Sequence, residues 1–199
     1  MTFARLCARV REHIGQEHRY EHCVRVARFA EQLAFRHGES PARARIAGML
    51  HDLARLYSAD RLLKECEARK MPVDFYEGAH PIVLHARLGE RLASEMFGID
   101  DPAVLSAIRK HTLADAQMSA LDCILYVADA AEPGRSFPQR AALASLAMRD
   151  LTEATRATLA VTAGHVRAQG FEPAPKTLAA MRALGVDASA VEELSGRSA

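Results

Sequence analysis

The sequence predicts an all-α bundle. Three observations carry that expectation. Apolar residues recur at helical spacing (i, i+3, i+4, i+7) nearly everywhere, and no segment alternates like a half-buried strand. Capping side chains, prolines and glycines punctuate the chain at helix-length intervals. His and Asp residues fall repeatedly on apolar stripes, where side chains of facing helices meet in a bundle core.

Thr2 caps a first helix over 3–14, closed by Gly15. A long second helix over 17–37 stops at Gly38, a natural left-handed cap. Ser40-Pro41 supplies an N-cap and a proline at the first helical position, opening a buried helix that holds His51 and Asp52. Ser58 caps a more polar helix to about residue 70, and 71–78 reads as a loop. Pro81 starts a helix ending at Gly98, and Asp101-Pro102 opens the next, which carries His111. Residues 112–118 form a loop, Ser119 caps a helix over 120–132, and Pro133-Gly134 breaks it. Asp150 with Glu153 makes a capping-box start for a helix reaching Gln169-Gly170. A proline-containing connection over 171–175 precedes a short helix over 176–184 and a polar tail that frays after Gly185. No repeat and no long linker divides the chain. Residues 1–199 therefore read as one domain, with a core at 17–138 and C-terminal helices at 150–185 packing on or completing it.

Composition excludes several function classes. Hydrophobic residues make up 49% and charged residues 26%, ordinary for a water-soluble fold. A formal net charge of +1 gives no electrostatic reason to expect nucleic acid or an anionic membrane as partner. No apolar run approaches the ~20 residues needed to span a bilayer. Arg5, Arg9, Arg11 and Glu12 interrupt the N-terminal stretch, so it is not expected to act as a signal peptide. Cys7, Cys23, Cys66 and Cys123 are scattered on helical patterns without C-x-x-C spacing, so reduced thiols in a cytoplasmic protein are expected.

The nine histidines matter by position. His22 leads the stripe Val26, Phe29, Leu33, with His18 one turn before it on the same face. His85 aligns with Leu88, Leu92 and Met96, and His111 follows Val104 and Ile108. Asp129 falls in line with Leu121 and Leu125. His51 and Asp52 stand side by side among Met49, Leu50 and Leu53. One such histidine alone is usually a core residue bonded to a carbonyl, and one such Asp a helix–helix hydrogen-bonding group. Five helices each making an independent arrangement is less economical than one shared site. An ionised Asp in such a place costs several kcal/mol unless a cation meets it. Imidazole with carboxylate suits borderline divalent metals such as Fe, Mn, Co, Ni or Zn. Six ligands exceed what one tetrahedral ion with an open position uses, leaving two metals, or one metal plus substrate-binding histidines. His13, His37, His80 and His165 sit near helix ends or on polar faces and are expected to be solvated.

The order His22, His51-Asp52, Asp129 resembles the H…HD…D signature of the HD superfamily of metal-dependent phosphohydrolases, an all-α helical fold. Closer motifs narrow the resemblance. His18-Arg19-Tyr20-Glu21-His22 resembles H-R-[YF]-x-H, and Leu50 to Arg55 resembles [LF]-H-D-x-[AT]-[KR]. His85-Ala86-Arg87-Leu88-Gly89 resembles H-[AG]-x-x-G, and Ala107 to Thr112 resembles A-I-R-x-H-T. Tyr126 to Arg135, followed by Phe137-Pro138, resembles Y-[VL]-A-D-x-x-E-P-x-R. Together these are similar to the YqeK-type symmetrical bis(5′-nucleosyl)-tetraphosphatases. The chain departs where that family commonly carries Gly-Arg after A-I-R-x-H-T, reading Leu113-Ala114-Asp115 instead.

The resemblance implies hydrolysis of diadenosine tetraphosphate to two ADP, with one or two divalent ions, iron first, as cofactor. It implies His22, His51, Asp52, His85, His111 and Asp129 as metal ligands, with Asp52 as the bridge. Asp52 and Arg55 carry the catalysis, a metal-activated water attacking an inner phosphorus. Arg19, His85, His111, Thr112, Asp129 and Arg135 meet the substrate, the forked guanidinium suiting polyphosphate. The second ADP half is expected to leave towards the 112–118 loop. The expected partners are the nucleotide and its ADP product, and the chain acts as a monomer or homodimer. Two alternatives keep the site: an HD nucleotidase or phosphodiesterase for another nucleotide, and a nucleotide-sensing module without turnover. No G-x-x-x-x-G-K phosphate loop occurs.

Overall fold

Thr2, Ser40, Ser58, Asp101 and Ser119 each accept a backbone N–H at the start of a helix, where four donors lack intrahelical partners. In the computed structural model, which describes residues 2–186, these caps open α1 (Phe3–Ile14), α3 (Pro41–Leu50), α4 (Ala59–Ala68), α7 (Pro102–Lys110) and α8 (Ala120–Ala131). The others are α2 (Glu17–Arg36), α5 (Phe75–Ala79), α6 (Leu84–Phe97), α9 (Arg140–Ala147), α10 (Leu151–Ala168) and α11 (Pro175–Ala183). A 3-10 turn, Pro81–Val83, leads into α6. Among the described residues there is no strand, and no helix is long and apolar enough to cross a membrane. The tail expected to fray lies, beyond Val186, outside the described residues.

Several boundaries differ from the sequence reading, each for a physical reason. α3 stops at Leu50, so His51 is its C-cap and Asp52 lies in the turns that follow, linked by i→i+3 bonds such as Arg55 N to Asp52 O at 3.0 Å. His111 likewise caps α7 rather than riding within it. The expected 71–78 loop contains α5, started by a reciprocal box between Asp74 and Glu77. α9 has no capping side chain, so nothing in the sequence marks its start. The box expected at Asp150 is half formed: its side chain accepts from Glu153 N, but its own N–H is already given to Leu146 O. Glu153 turns instead to Arg156. His13 and His37 are not solvated, because their Nε2 atoms tie helix ends to the carbonyls of Leu53 (2.9 Å) and Ala147 (2.6 Å). The four cysteines are free thiols, Cys23 and Cys66 buried, Cys7 and Cys123 half-buried.

The core gathers on α2, α3, α7 and α8, where Val26, Leu33, Met49, Leu50, Ile108, Ile124 and Leu125 are fully buried. α2 makes its broadest contact with α3, and α8 packs on α2 and α7 on one side and on α9 and α10 on the other. Two glycines set the spacing around the polar cluster. A Cβ on Gly48 would stand 2.6 Å from Ala27 Cα and 2.8 Å from its N, so the α2–α3 crossing is as close as backbones allow. A Cβ on Gly89 of α6 would meet His51 O at 3.2 Å. Close approach on these two faces is what lets side chains from α2, α6 and the end of α3 reach a common point. Gly48→Ala, which presses against backbone rather than a yielding side chain, is expected to lower unfolding free energy by about 1–3 kcal/mol. Urea melts of the wild type and variant check it, and equal midpoints would contradict the tight crossing.

Candidate metal centre

His22, His51, His85 and His111 are all buried and all turn Nε2 towards one point. The Nδ1 atoms fix this. His51 Nδ1 lies 2.7 Å from Gly48 O, His85 Nδ1 2.6 Å from Ile82 O, and His111 Nδ1 2.7 Å from Ile108 O. A carbonyl only accepts, so each Nδ1 must carry the proton and donate it. In a neutral ring the Nε2 is then a bare lone pair. All three rings use the carbonyl three residues back, which for His51 and His111 lies in the last turn of α3 and α7 and for His85 in the 3-10 turn that leads into α6.

The lone pairs have too few donors to meet. His22 Nε2 and His51 Nε2 are buried without a hydrogen-bond partner. His85 Nε2 and His111 Nε2 face each other at 3.2 Å, and the single Thr112 hydroxyl, 3.2 Å and 3.1 Å from them, can donate to one only. The remaining neighbours are carboxylate oxygens, also acceptors. Asp52 stands between two sets: its Oδ1 lies 3.5 Å from His85 and 3.8 Å from His111, its Oδ2 3.7 Å from His22 and 3.5 Å from His51. Asp129 Oδ1 is 3.1 Å from His22 and 3.7 Å from His51. Acceptors facing acceptors in a buried site call for a cation. Three donor sets have ligand atoms within 4.8 Å: His22, His51, Asp129; Asp52, His85, His111; and Cys23, His51, Asp52, which shares a residue with each of the others, so that the first two could each hold one ion. The six sequence-selected ligand residues are thus brought together, which coincidence on separate helices does not explain.

Burial is the largest influence on these groups. It holds His51, His85 and His111 below the ordinary imidazole value, His85 at about 4, so the rings favour the metal-binding neutral form. Burial opposes ionisation of Asp52 and Asp129 as well, yet surrounding positive charge outweighs it and both lie below the usual carboxylate range, Asp52 at about 2. At the acid pH where these carboxylates titrate, His51, His85 and His111 lower Asp52, while the His22 hydrogen bond, His51 and Arg135 lower Asp129. Two guanidinium groups also touch the carboxylates: Arg19 Nη1 is 3.0 Å from Asp52 Oδ2, and Arg135 pairs with Asp129 Oδ1 while its Nε donates to Asp129 O at 2.9 Å.

The cluster forms one end of a cavity of about 670 Å³. Arg19, Arg55, Thr112 and Arg135 line its polar end, while Phe137, Leu143 and Val161 line the part between α8, α9 and α10. Thr112 alone represents the 112–118 loop there. Ala114 takes a left-handed φ of 58° and turns the chain aside, so residues 113–115 line a separate small cavity, where Asp115 accepts from Gln117 N. The loop that departs from the sequence resemblance therefore does not border the cavity. His18 is exposed and takes no part. Glu132, 1% exposed, carried no assigned role in the sequence reading, although it stands in the A-D-x-x-E-P-x-R segment. Its partners are His22 Nδ1 at 3.0 Å and Arg25 Nε at 2.7 Å. The signal was available: a Glu three residues after Asp129, at the end of an apolar helix.

A family model described as HD domain matches residues 19–134. The chain belongs to the HD-domain family. Within it, the chain is 36% identical over 138 residues to the symmetrical bis(5′-nucleosyl)-tetraphosphatase of Bacillus subtilis, covering 69% of this chain and 74% of that one. It is 33% identical over 165 residues to the protein of the same name from Halalkalibacterium halodurans, covering 82% and 87%. A crystal structure from Clostridium acetobutylicum, described as a predicted HD superfamily hydrolase involved in NAD metabolism, superposes with a TM-score of 0.87. It is 30% identical, and 92% of this chain and 97% of that chain are covered. The all-α fold expected from periodicity is thus that of an HD hydrolase, and the matched span encloses all six candidate ligand residues.

The electrostatics of this HD centre predict how its metal-free form responds to acid. The unfolded chain takes up protons at His51, His85 and His111 near pH 6.5, while the folded, metal-free protein resists until lower pH, about 4 at His85. Stability is therefore full above pH 6.5 and is lost as pH falls towards 4, by on the order of 1–3 kcal/mol. Urea unfolding of chelator-treated protein at pH 7.5, 5.5 and 4.5 measures this. A flat profile would contradict the buried, neutral imidazoles.

Proposed function

We propose that this chain is a metal-dependent hydrolase that splits diadenosine tetraphosphate, with one water, symmetrically into two ADP. The observation that carries the reading is the set of four inward Nε2 lone pairs around Asp52, at the arginine-lined end of a cavity with an apolar wall. The names of the B. subtilis and H. halodurans relatives supply the substrate.

His22, His51 and Asp129 would hold one ion, His85 and His111 the other, and Asp52 would lie between them. When bound, the ions offset polyphosphate charge and lower the pKa of a water. Nitrogen and oxygen donors together admit Fe, Mn, Co, Ni or Zn, with iron the first choice. The residues divide the remaining work. Arg19 and Arg135, now on Asp52 and Asp129, are placed to exchange those carboxylates for phosphate oxygens as the polyphosphate enters. Arg55 lines the same wall and meets charge developing on the phosphoryl group. Thr112 Oγ1, between His85 and His111, is a hydrogen-bond donor for a phosphate oxygen. Phe137, Leu143 and Val161 offer apolar surface to one adenosine. ADP leaves readily, so no dedicated general acid is assigned. Free cysteines fit a reducing, cytoplasmic setting.

Hydrolysis in ¹⁸O-labelled water with chromatography of early products tests the reaction. ADP alone, half of it labelled at its terminal phosphate, is expected, and equimolar AMP and ATP would overturn symmetric attack. A second experiment separates ligand from phosphate contact. His51→Ala is expected to lose metal and activity together. Arg55→Ala is expected to keep metal and lose at least about tenfold in kcat/KM, roughly 1.4 kcal/mol of transition-state stabilisation. Equal metal loss in both variants would remove Arg55 from its role.

A further inference from the structure

We infer that Glu132 is a positioning residue: it fixes His22 in the Nδ1-protonated tautomer and makes the His22–His51–Asp129 position the tighter of the two metal positions. The inference rests on the metal reading above and goes beyond it, because nothing in that reading distinguishes the two positions.

The argument begins with where His22 sits. His51, His85 and His111 occupy helix ends and take the carbonyl three residues back as Nδ1 acceptor. His22 lies inside the 20-residue α2, where the carbonyls one turn back are committed to the helical ladder. Its Nδ1 therefore needs an acceptor from another element. Glu132, at the C-cap of α8 and 110 residues away in sequence, supplies one at 3.0 Å. The opposite tautomer would set a bare Nδ1 against a carboxylate oxygen and point a proton at Asp129.

Glu132 has little freedom to do otherwise. Its Oε2 accepts from Arg25 Nε at 2.7 Å and from Gly134 N, and its Oε1 accepts from His22 and, at 3.4 Å, from Arg25 Nη2. A Cβ on Gly134 would fall 2.4 Å from Arg25 Nε, so the residue after Pro133 leaves the space that this clamp uses. The other three imidazoles are oriented by neutral carbonyls, and His22 alone by an anion. An anionic partner raises ligand basicity more than a carbonyl does, and loss of such a partner weakens metal binding by about 10–100-fold.

The tautomer can be read without metal or nucleotide. Two-bond ¹⁵N–¹H correlation spectra of ¹⁵N-histidine-labelled, chelator-treated protein, with His22 assigned through His22→Gln, are expected to show an Nδ1 proton and a bare Nε2. In Glu132→Gln the amide oxygen follows Arg25 and Gly134, turning its NH2 towards His22, so the His22 tautomer is expected to shift while His51 keeps its own. Calorimetric titration of the same protein with Mn²⁺ is expected to show two affinities in the wild type. The tighter falls about 10–100-fold in Glu132→Gln and the weaker is unchanged. Arg25→Ala, which leaves the anion in place, is expected to lose stability and keep the tautomer. A wild-type His22 protonated on Nε2 would overturn the inference whether or not any variant folds. So would equal loss at both metal positions. Failure of diadenosine tetraphosphate cleavage alone would strike the proposed substrate and leave the spectra to decide this point.

Discussion

Four imidazole lone pairs and two carboxylates converge in a buried space with no proton donor sufficient to separate them. Water at a surface would screen such a cluster. Here Asp52 is 4% exposed and His51 fully buried, so each acceptor keeps its neighbours' repulsion at close to full strength. A cation resolves the conflict, and everything around the cluster serves to hold the acceptors in place until one is present. The guanidinium groups of Arg19 and Arg135 supply part of that charge from the cavity side.

Helix ends do the orienting. A helix that terminates within the core exposes carbonyls that must find donors, and here the donors are imidazole Nδ1 atoms. The end of α3 therefore satisfies Gly48 O and aims His51 in one bond, and the end of α7 does the same with Ile108 O and His111. His22 has no such end to draw on, and the Glu132 carboxylate takes its place. The close crossings at Gly48 and Gly89 bring these termini near enough for side chains of ordinary length to meet.

The cavity combines two solvents in one space. Its charged end suits a polyphosphate, and its wall of Phe137, Leu143 and Val161 suits an apolar base. That wall comes from the turn at Phe137 and from α9 and α10, all C-terminal to the span the HD model matches. The His and Asp cluster and the apolar wall thus come from different stretches of chain, joined across α8, whose Asp129 and Tyr126 both face the cavity.

The helical periodicity, the caps and the six misplaced polar residues were local patterns, and the sequence by itself determined the all-α class and the identity of the convergent His and Asp side chains from them. An apolar stripe interrupted by His22 or Asp129 announces burial with a polar purpose, because burial without one is too costly to leave unexplained. Three features depended on contacts between distant segments. His51 and His111 cap their helices because the core ends those helices there, and no local breaker marks the spot. Ala114 turns left-handed and carries 113–115 out of the cavity, although the substituted loop stands next to a ligand in sequence. Glu132 meets His22 across 110 residues. Sequence periodicity reports which face of a helix is buried, but only tertiary packing decides which atom that face meets, and the tautomer of an imidazole is settled by that atom.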